Sequence, residues 1–312
     1  MTALERVADR AVTVRAPAKV NLVLIVGRPR DDGYHPLNTV YQAISLYDDV
    51  RVTEAEEWSV EVTALGSVDC SDVPLDESNI VIRAGRLLTA HHGLDLAARV
   101  EIAKGIPVAG GLAGGSADGA AALVALDRLW DLQTTDEDLL RLAGELGSDV
   151  PFALLGGTAH GTGHGEIVQP VPDRGTYWWV VVPSDEGLST PAVYREYDRL
   201  HPDVPRGWHV VDPTGVLEAA RAGDADRLAA GMRNDLQEAA LSLRPELRER
   251  LDLVQEHRHN TVLISGSGPT IVGIAKTQAA AQETRGALLE AGLPVVLVAT
   301  GPVAGTHVVE LG

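Results

Sequence analysis

One segment, Pro107 to Asp118 (PVAGGLAGGSAD), constrains this chain more than any other. With Gly119 just beyond, it places five glycines, Gly110, Gly111, Gly114, Gly115 and Gly119, around the start of a helical pattern. The preceding ARVEIAKGI alternates as a strand does, and Ser116 to Trp130 carries Ala120, Leu123, Val124, Asp127 and Trp130 at the spacing of an amphipathic helix. Strand, glycine loop and helix, in that order, make an anion site. Glycines let the backbone approach a phosphate closely, while the first-turn N–H groups and the helix dipole face its charge. Neither common fingerprint fits, because no lysine follows Gly115 and no GxGxxG frame can be drawn. On this segment alone, a phosphate loop of a third type and a ligand-free glycine turn both stay open.

Composition narrows the setting. The 312 residues are 45% hydrophobic and 22% charged, which suits one large or two ordinary globular domains and excludes disordered and fibrous classes. No uncharged apolar run approaches the roughly 18 residues of a membrane span, and MTALERVADR carries charges where a signal peptide needs an apolar stretch. A soluble cytoplasmic protein with no membrane partner is expected. The single cysteine, Cys70, excludes an intrachain disulfide and a cysteine-based metal site, and the ten histidines include no HExxH. A net charge of −18 repels nucleic acid, and no basic stripe with interleaved aromatics offsets it. A small polyanion is still admissible, since a few donors and a metal ion reverse the field inside a cleft. Of the 26 basic residues only Lys19, Lys104 and Lys276 are lysines; a compact ammonium is not interchangeable with a planar guanidinium in a tight phosphate site.

Along the chain AVTVRAP, KVNLVLIVG, TVYQAISLY, DVRVTEAE and WSVEVTAL read as strands, and Ser78 to His92 as a helix with Ser78 as its N-cap. Thr135 with Asp138 resembles a capping box for EDLLRLAGEL, which ends at Gly147. SDVPFALLGGTAHGTGHGEIVQPV reads as a short helix and a hairpin, and Pro170 to Gly175 as a linker. Beyond it YWWVVVPS is expected as a buried strand. Helices from Pro191 to Arg258, strands in TVLISGSGPTIVGIA, a helix near Ala279 to Ala291 and strands in PVVLVATG and THVVEL complete the reading. The pattern is α+β, divided into 1–172 and 173–312.

Four segments, APAKVNL, PVAGGLAGGSAD, GSDVPF and ISGSGPTIVGI, resemble the GHMP kinases, a family of small-molecule kinases, over a span from near Val14 to Ile274. The resemblance implies a two-domain GHMP kinase fold, with a ribosomal-protein-S5-like ATP-binding and catalytic domain followed by a ferredoxin-like α/β sandwich on the substrate side. The block APAKVNLVLIVGRPRDDGYHPLNTVYQAISLYD is similar to members that use ATP with Mg²⁺ to phosphorylate a hydroxyl of a cytidine-diphosphate substrate of isoprenoid precursor synthesis. The rivals are a sibling kinase for homoserine, a mevalonate derivative or a sugar, and a catalytically silent sensor of the same fold. Monomer and homodimer are both compatible.

The resemblance also implies roles. The ATP phosphates fall to Pro107, Gly110, Gly111, Leu112, Gly114, Gly115 and Ser116, with Ser116 near the phosphates or a Mg²⁺ ion that they hold, and Asn79 to the adenine end. Lys19 and Asp149 flank the accepting hydroxyl. Asn21 and Thr190 take substrate-side positions, Tyr34 and His35 lie by the cytosine, and Tyr194 stacks on the base. Gly266, Ser267 and Gly268 form a supporting loop. One departure stands out: family members commonly show GLGGGSS, where Ala113 and Ala117 here replace a glycine and a serine.

The chemistry can be argued without the family. Phosphoryl transfer to an alcohol needs in-line positioning, charge neutralisation and an acceptor for the hydroxyl proton. Asp149 can accept or orient that proton; Lys19 can hold Asp149 ionised and offset developing charge. Each residue also has a plainer reading. Asp149, between Gly147 and Pro151, reads as a helix cap, and Lys19 as a solvent-facing lysine at a strand start, although Pro17 and Asn21 are poor strand residues. Tyr34 and His35 after Asp31, Asp32 and Gly33 read as a turn with an exposed aromatic, and SGSGPT as a hairpin with glycines at positive φ.

Overall fold

Two long strands carry the architecture: β1 (Ala11–Val26) and β2 (Leu37–Ala55) pair antiparallel along nearly their whole length. The structure is a computed structural model that describes residues 10–108, 110–184, 186–203, 212–257 and 261–311. The sequence reading divided these two strands into four. Pro17 does not end β1, because a register shift between Pro17 and Ala18 absorbs it, and a second shift follows between Asn21 and Val23. Such bulges bend a strand and re-aim its side chains without breaking it.

The large sheet has the order β12-β1-β2-β4-β3, where β3 is Ser59–Ala64, β4 is Ala97–Lys104 and β12 is His307–Leu311. Strands β3 and β4 are parallel, joined by α1 (Ile80–His92). A hairpin of β5 (Thr158–Thr162) and β6 (Ile167–Val171) pairs with β2, and the short β8 (Arg233–Asn234) pairs with β1. Pro170 and Val171 therefore belong to β6, and the expected linker shrinks to residues 172–176. The second sheet is antiparallel, in the order β11-β7-β10-β9: β7 is Tyr177–Val182, β9 Val262–Ile264, β10 Ile271–Ala275 and β11 Leu297–Gly301. YWWVVV is buried as expected. Tyr177, Trp179, Leu263 and Ile274 share one core with β1 and the first-half helices, so the two sheets are packed together.

The helices α2 (Gly114–Leu129), α3 (Asp136–Leu146) and α4 (Val150–Leu155) follow the loop. The amphipathic reading of α2 is corrected, since only Gly115 and Arg128 are exposed and the helix is buried nearly all round. Its alanines, Ala117, Ala120, Ala121, Ala122 and Ala125, are all fully buried in the core it shares with β1 and β2, and their small side chains let a helix sit close to a sheet. A second correction concerns α1: its N-cap is Asn79, whose Oδ1 accepts from Val81 N at 3.0 Å, while Ser78 turns back to Asp76. Thr135 caps α3 as expected, accepting from Asp138 N at 3.1 Å. The second half contributes α5 (Thr190–Leu200), α6 (Thr214–Ala222), α7 (Ala225–Gly231), α8 (Gln237–Leu243), α9 (Leu247–Glu256) and α10 (Gln278–Glu290). Arg258, where the helical reading ended, lies outside the described residues. Among the described residues no helix is long and apolar enough to cross a membrane.

A buried ion cluster fixes the glycine loop to this frame. Lys104, at the end of β4, places its ammonium 2.5 Å from Asp48 Oδ2 and 2.7 Å from Asp118 Oδ2. Asp48 Oδ1 also accepts from Gly105 N at 2.7 Å and Ile106 N at 2.9 Å. Strand β2, the entry to the loop and α2 beyond it are thus tied by three side chains. Burial works against the Lys104 ammonium, but the two carboxylates more than offset it and its pKa stands above the ordinary value. Burial pushes the Asp118 carboxyl well up. Lys104→Met should therefore lower stability by about 3 to 5 kcal/mol, because it strands buried carboxylates without their cation. Chemical denaturation reads the loss, and an unchanged midpoint would contradict it.

Candidate active site

The two shifts in β1 bracket Lys19 and Asn21 and turn them toward one cavity. Lys19 is only 6% exposed, so the reading of a solvent-facing lysine is overturned. Its ammonium donates to Asn21 Oδ1 at 2.7 Å and lies 3.6 Å from Asp149 Oδ2. Asn21 Nδ2 donates to Thr39 Oγ1 at 2.8 Å, and that hydroxyl donates to Val23 O at 2.7 Å. This chain fixes the amide so that its oxygen faces the lysine. Asp149 occupies the N-cap position of α4, yet its side chain makes no capping bond, so the capping reading fails too. The ring of Tyr41 lies 5.8 Å from the ammonium and stacks on Phe152. Tyr41 and Tyr194 line the cavity with Asp149, and burial, then the charge of that carboxylate, push their phenols above the usual range.

The glycine loop is tied to the same strand, since Lys19 N donates to Leu112 O at 3.1 Å. Its glycines have different reasons. A Cβ on Gly110 would lie 2.5 Å from Thr270 Oγ1, and one on Gly111, at φ +78°, 2.2 Å from Ser265 O. Gly114 packs downward, its Cβ position 3.2 Å from Lys104 Nζ, whereas one on Gly115 would meet nothing within 4 Å. Ala113 takes φ 60° as the N-cap of α2, a conformation that costs an alanine about 1 kcal/mol, and supplies no side-chain cap. The first-turn N–H groups of α2 are left without a capping side chain. Ser116 follows in that turn, partly exposed, and Pro107 stands half-buried at the loop's entry; Ala109 lies outside the described residues.

The turn between β9 and β10 closes over the loop, as a hairpin that is also part of the site. Thr270 N donates to Gly110 O and Ser265 Oγ to Gly111 O, each at 3.1 Å. Gly266, at φ +56°, takes a conformation that disfavours a side chain, and a Cβ there would stand 3.1 Å from Lys19 Nζ and 3.3 Å from Gly111 O. Asn234 Nδ2 donates to both Ile264 O and Gly266 O at 2.7 Å, and Ser267 Oγ meets Thr190 Oγ1 at 2.8 Å.

One cavity of about 620 Å³ collects Lys19, Asn21, Tyr34, His35, Asp149, Thr190, Tyr194, Gly266, Ser267 and Gly268, with Gly111 and Ala113 from the glycine loop. Pro107, Gly110, Leu112, Gly114, Gly115 and Ser116 do not line it, and neither does Asn79. Asn79 is 4% exposed and engaged at both ends of its amide, by Val81 N and by Pro74 O. At the far end His35 Nε2 lies 2.9 Å from Asp198 Oδ1, and its ring sits 4.8 Å from that of Tyr194. Tyr34 is 55% exposed, as its turn suggested, and stacks on His164 at 4.8 Å. Sequence reasoning missed Thr39, Tyr41, Ser148, His164, Asp198 and Asn234. A signal existed for one of them, because Thr190, Tyr194 and Asp198 recur every four residues along α5 and so share a face.

Two family models match the chain: the GHMP kinases N terminal domain matches residues 79–157 and the GHMP kinases C terminal model residues 216–293. The chain is 58% identical over 297 residues to a 4-diphosphocytidyl-2-C-methyl-D-erythritol kinase of Nocardioides sp., covering 95% of this chain and 99% of that one. A protein of the same name from Thermobifida fusca is 48% identical over 312 residues, covering 97% and 99%. Among solved structures, a 4-(cytidine 5'-diphospho)-2C-methyl-D-erythritol kinase superposes with a TM-score of 0.73 at 32% identity, covering 92% of this chain and 98% of that one. A homoserine kinase from Cytophaga hutchinsonii reaches the same TM-score of 0.73 at 19% identity, covering 99% and 100%, a likeness of fold alone. With both of its halves matched and such relatives along nearly its full length, the chain belongs to the GHMP kinase family.

Proposed function

We propose that the chain transfers the γ-phosphoryl group of ATP to the 2-hydroxyl of 4-diphosphocytidyl-2-C-methyl-D-erythritol, a step toward isoprenoid precursors. The observation that carries this reading is one cavity with the Lys19 and Asp149 pair between a glycine loop on one side and the rings of His35 and Tyr194 on the other. The homoserine kinase shares the fold, so the fold alone does not choose the acceptor. The aromatic end does, since flat rings suit a pyrimidine and homoserine has no ring to place there.

In this reading Asp149 receives or orients the proton of the accepting hydroxyl. Lys19 pairs with the carboxylate and faces the charge that develops on the transferred group. Asn21 holds Lys19 in place, and Tyr41 and Tyr194 keep water from the pair. Thr190 and Ser267 present hydroxyls to the diphosphate. The ATP phosphates rest on the uncapped N-terminus of α2, where Gly115 leaves the approach open. Gly110, Gly111 and Gly114 shape that loop through packing. Ser116 is the oxygen donor the loop offers to Mg²⁺, and the ion, when bound, offsets the charge of the phosphates. Asn79 is proposed for the adenine end, since its amide spends one N–H on Pro74 O and one lone pair on Val81 N and keeps a second of each. Both substrates are small soluble anions, and the proposed location is the cytoplasm, where ATP is supplied.

Incubation with ATP and the cytidine-diphosphate alcohol should yield ADP and a product heavier by one phosphoryl group. Tyr194→Ala should weaken KM for that substrate by about 1 to 3 kcal/mol, the worth of an aromatic stacked on a base, with KM for ATP unchanged. CDP alone should compete. Turnover of homoserine or a mevalonate phosphate, with no inhibition by CDP, would overturn the choice of acceptor.

A further inference from the structure

The side chain that joins the two ends of the cavity is one the family resemblance did not mark. His164 sits on the turn between β5 and β6, flanked by Gly163 at φ +72° and Gly165 at φ +109°. Its backbone N–H donates to Glu166 Oε2 at 2.7 Å, which pins the turn. The imidazole is then used twice. Its face stacks on Tyr34, with ring centroids 4.8 Å apart and planes at 29°. Its edge, at Nδ1, lies 2.7 Å from Ser148 Oγ, and Glu166 Oε2 stands 3.3 Å from the same nitrogen. Ser148 directly precedes Asp149, whose carboxylate is 3.6 Å from Lys19. Among the described residues Tyr34 has no other ring partner, so the only aromatic support of this exposed tyrosine is a histidine hydrogen-bonded to the neighbour of Asp149.

We propose that His164 is a positioning residue that ties the base-side platform of Tyr34 to the Ser148–Asp149 turn, so that holding the substrate's base and aiming the carboxylate depend on one imidazole. The inference rests on the function proposed above, in which Tyr34 faces the cytosine and Asp149 faces the accepting hydroxyl. Face and edge are chemically separable. Phenylalanine keeps a flat face for Tyr34 and loses the hydrogen bond to Ser148. Asparagine puts an amide atom where Nδ1 stands and loses the face. Neither substitution touches the Lys19 and Asn21 contacts or the glycine loop.

The experiment is a split between kcat and KM, measured on the full chain with the cytidine-diphosphate substrate. His164→Phe should keep KM and lower kcat by up to about 100-fold, the effect of a reacting group displaced by about 1 Å. His164→Asn should keep kcat and raise KM about tenfold, within the range for loss of a stacked aromatic. Ser148→Ala should behave as His164→Phe does. KM for ATP should stay put in all three. Parallel loss of kcat and KM in both histidine variants, or no change in either, would overturn the inference. Absence of turnover by the wild-type chain would instead sink the function reading. The tie itself is still tested then: with ¹⁵N-labelled histidine, Ser148→Ala must move the ring-nitrogen signal of His164, and an unmoved signal overturns the proposal whatever the substrate.

Discussion

A buried ammonium is the constraint from which the site follows. Taking the charge of Lys19 out of water costs several kcal/mol unless polar partners replace the lost hydration. The chain provides them from three directions: Asn21 within β1, Asp149 from the start of α4 and the ring of Tyr41 from β2. Each requirement leaves a mark on the fold. Two bulges turn the strand, a hydroxyl at Thr39 holds the amide, and position 266 is a glycine at positive φ.

Lys104 contrasts with Lys19, the buried lysine to which the proposed function gives a chemical role. Lys104 has two carboxylates at hydrogen-bonding distance, and neither its nitrogen nor its partners line the cavity. Its charge is answered within the fold. Lys19 has one amide oxygen at 2.7 Å and one carboxylate at 3.6 Å, and all three side chains line the cavity. The ammonium and its carboxylate thus both border the space where a substrate would lie. The third lysine, Lys276, pairs with Asp226 at the surface and takes no part.

What was legible in the sequence was local. The strand, glycine loop and helix around Gly110 to Ser116 could be read because glycine content and apolar spacing are properties of neighbouring residues, as could the Thr135 cap. The bulges at Pro17 and Asn21 could not, because they exist only in the register with β2. The capping role of Asn79 rather than Ser78 turns on which of two adjacent polar residues meets Asp76 and which meets Val81. The near-complete burial of α2 was hidden because alanine, the residue that lets a helix approach a sheet, carries little hydrophobic signal. Lys19 illustrates both sides: its importance came from a resemblance, whereas its burial and its partners came only from long-range pairing.

In the proposed function Asp149 acts on the accepting hydroxyl and does not cap α4 or hold nucleotide. Asp149→Asn keeps the size and polarity of the side chain and removes its capacity to take a proton, so paired measurements of kcat and of the ATP dissociation constant by calorimetry test it most directly. The expected result is a fall in kcat of about 100- to 10,000-fold, the scale of a lost general base, with ATP affinity and unfolding midpoint unchanged. A variant with near-native kcat, or one that fails because ATP no longer binds, would contradict it.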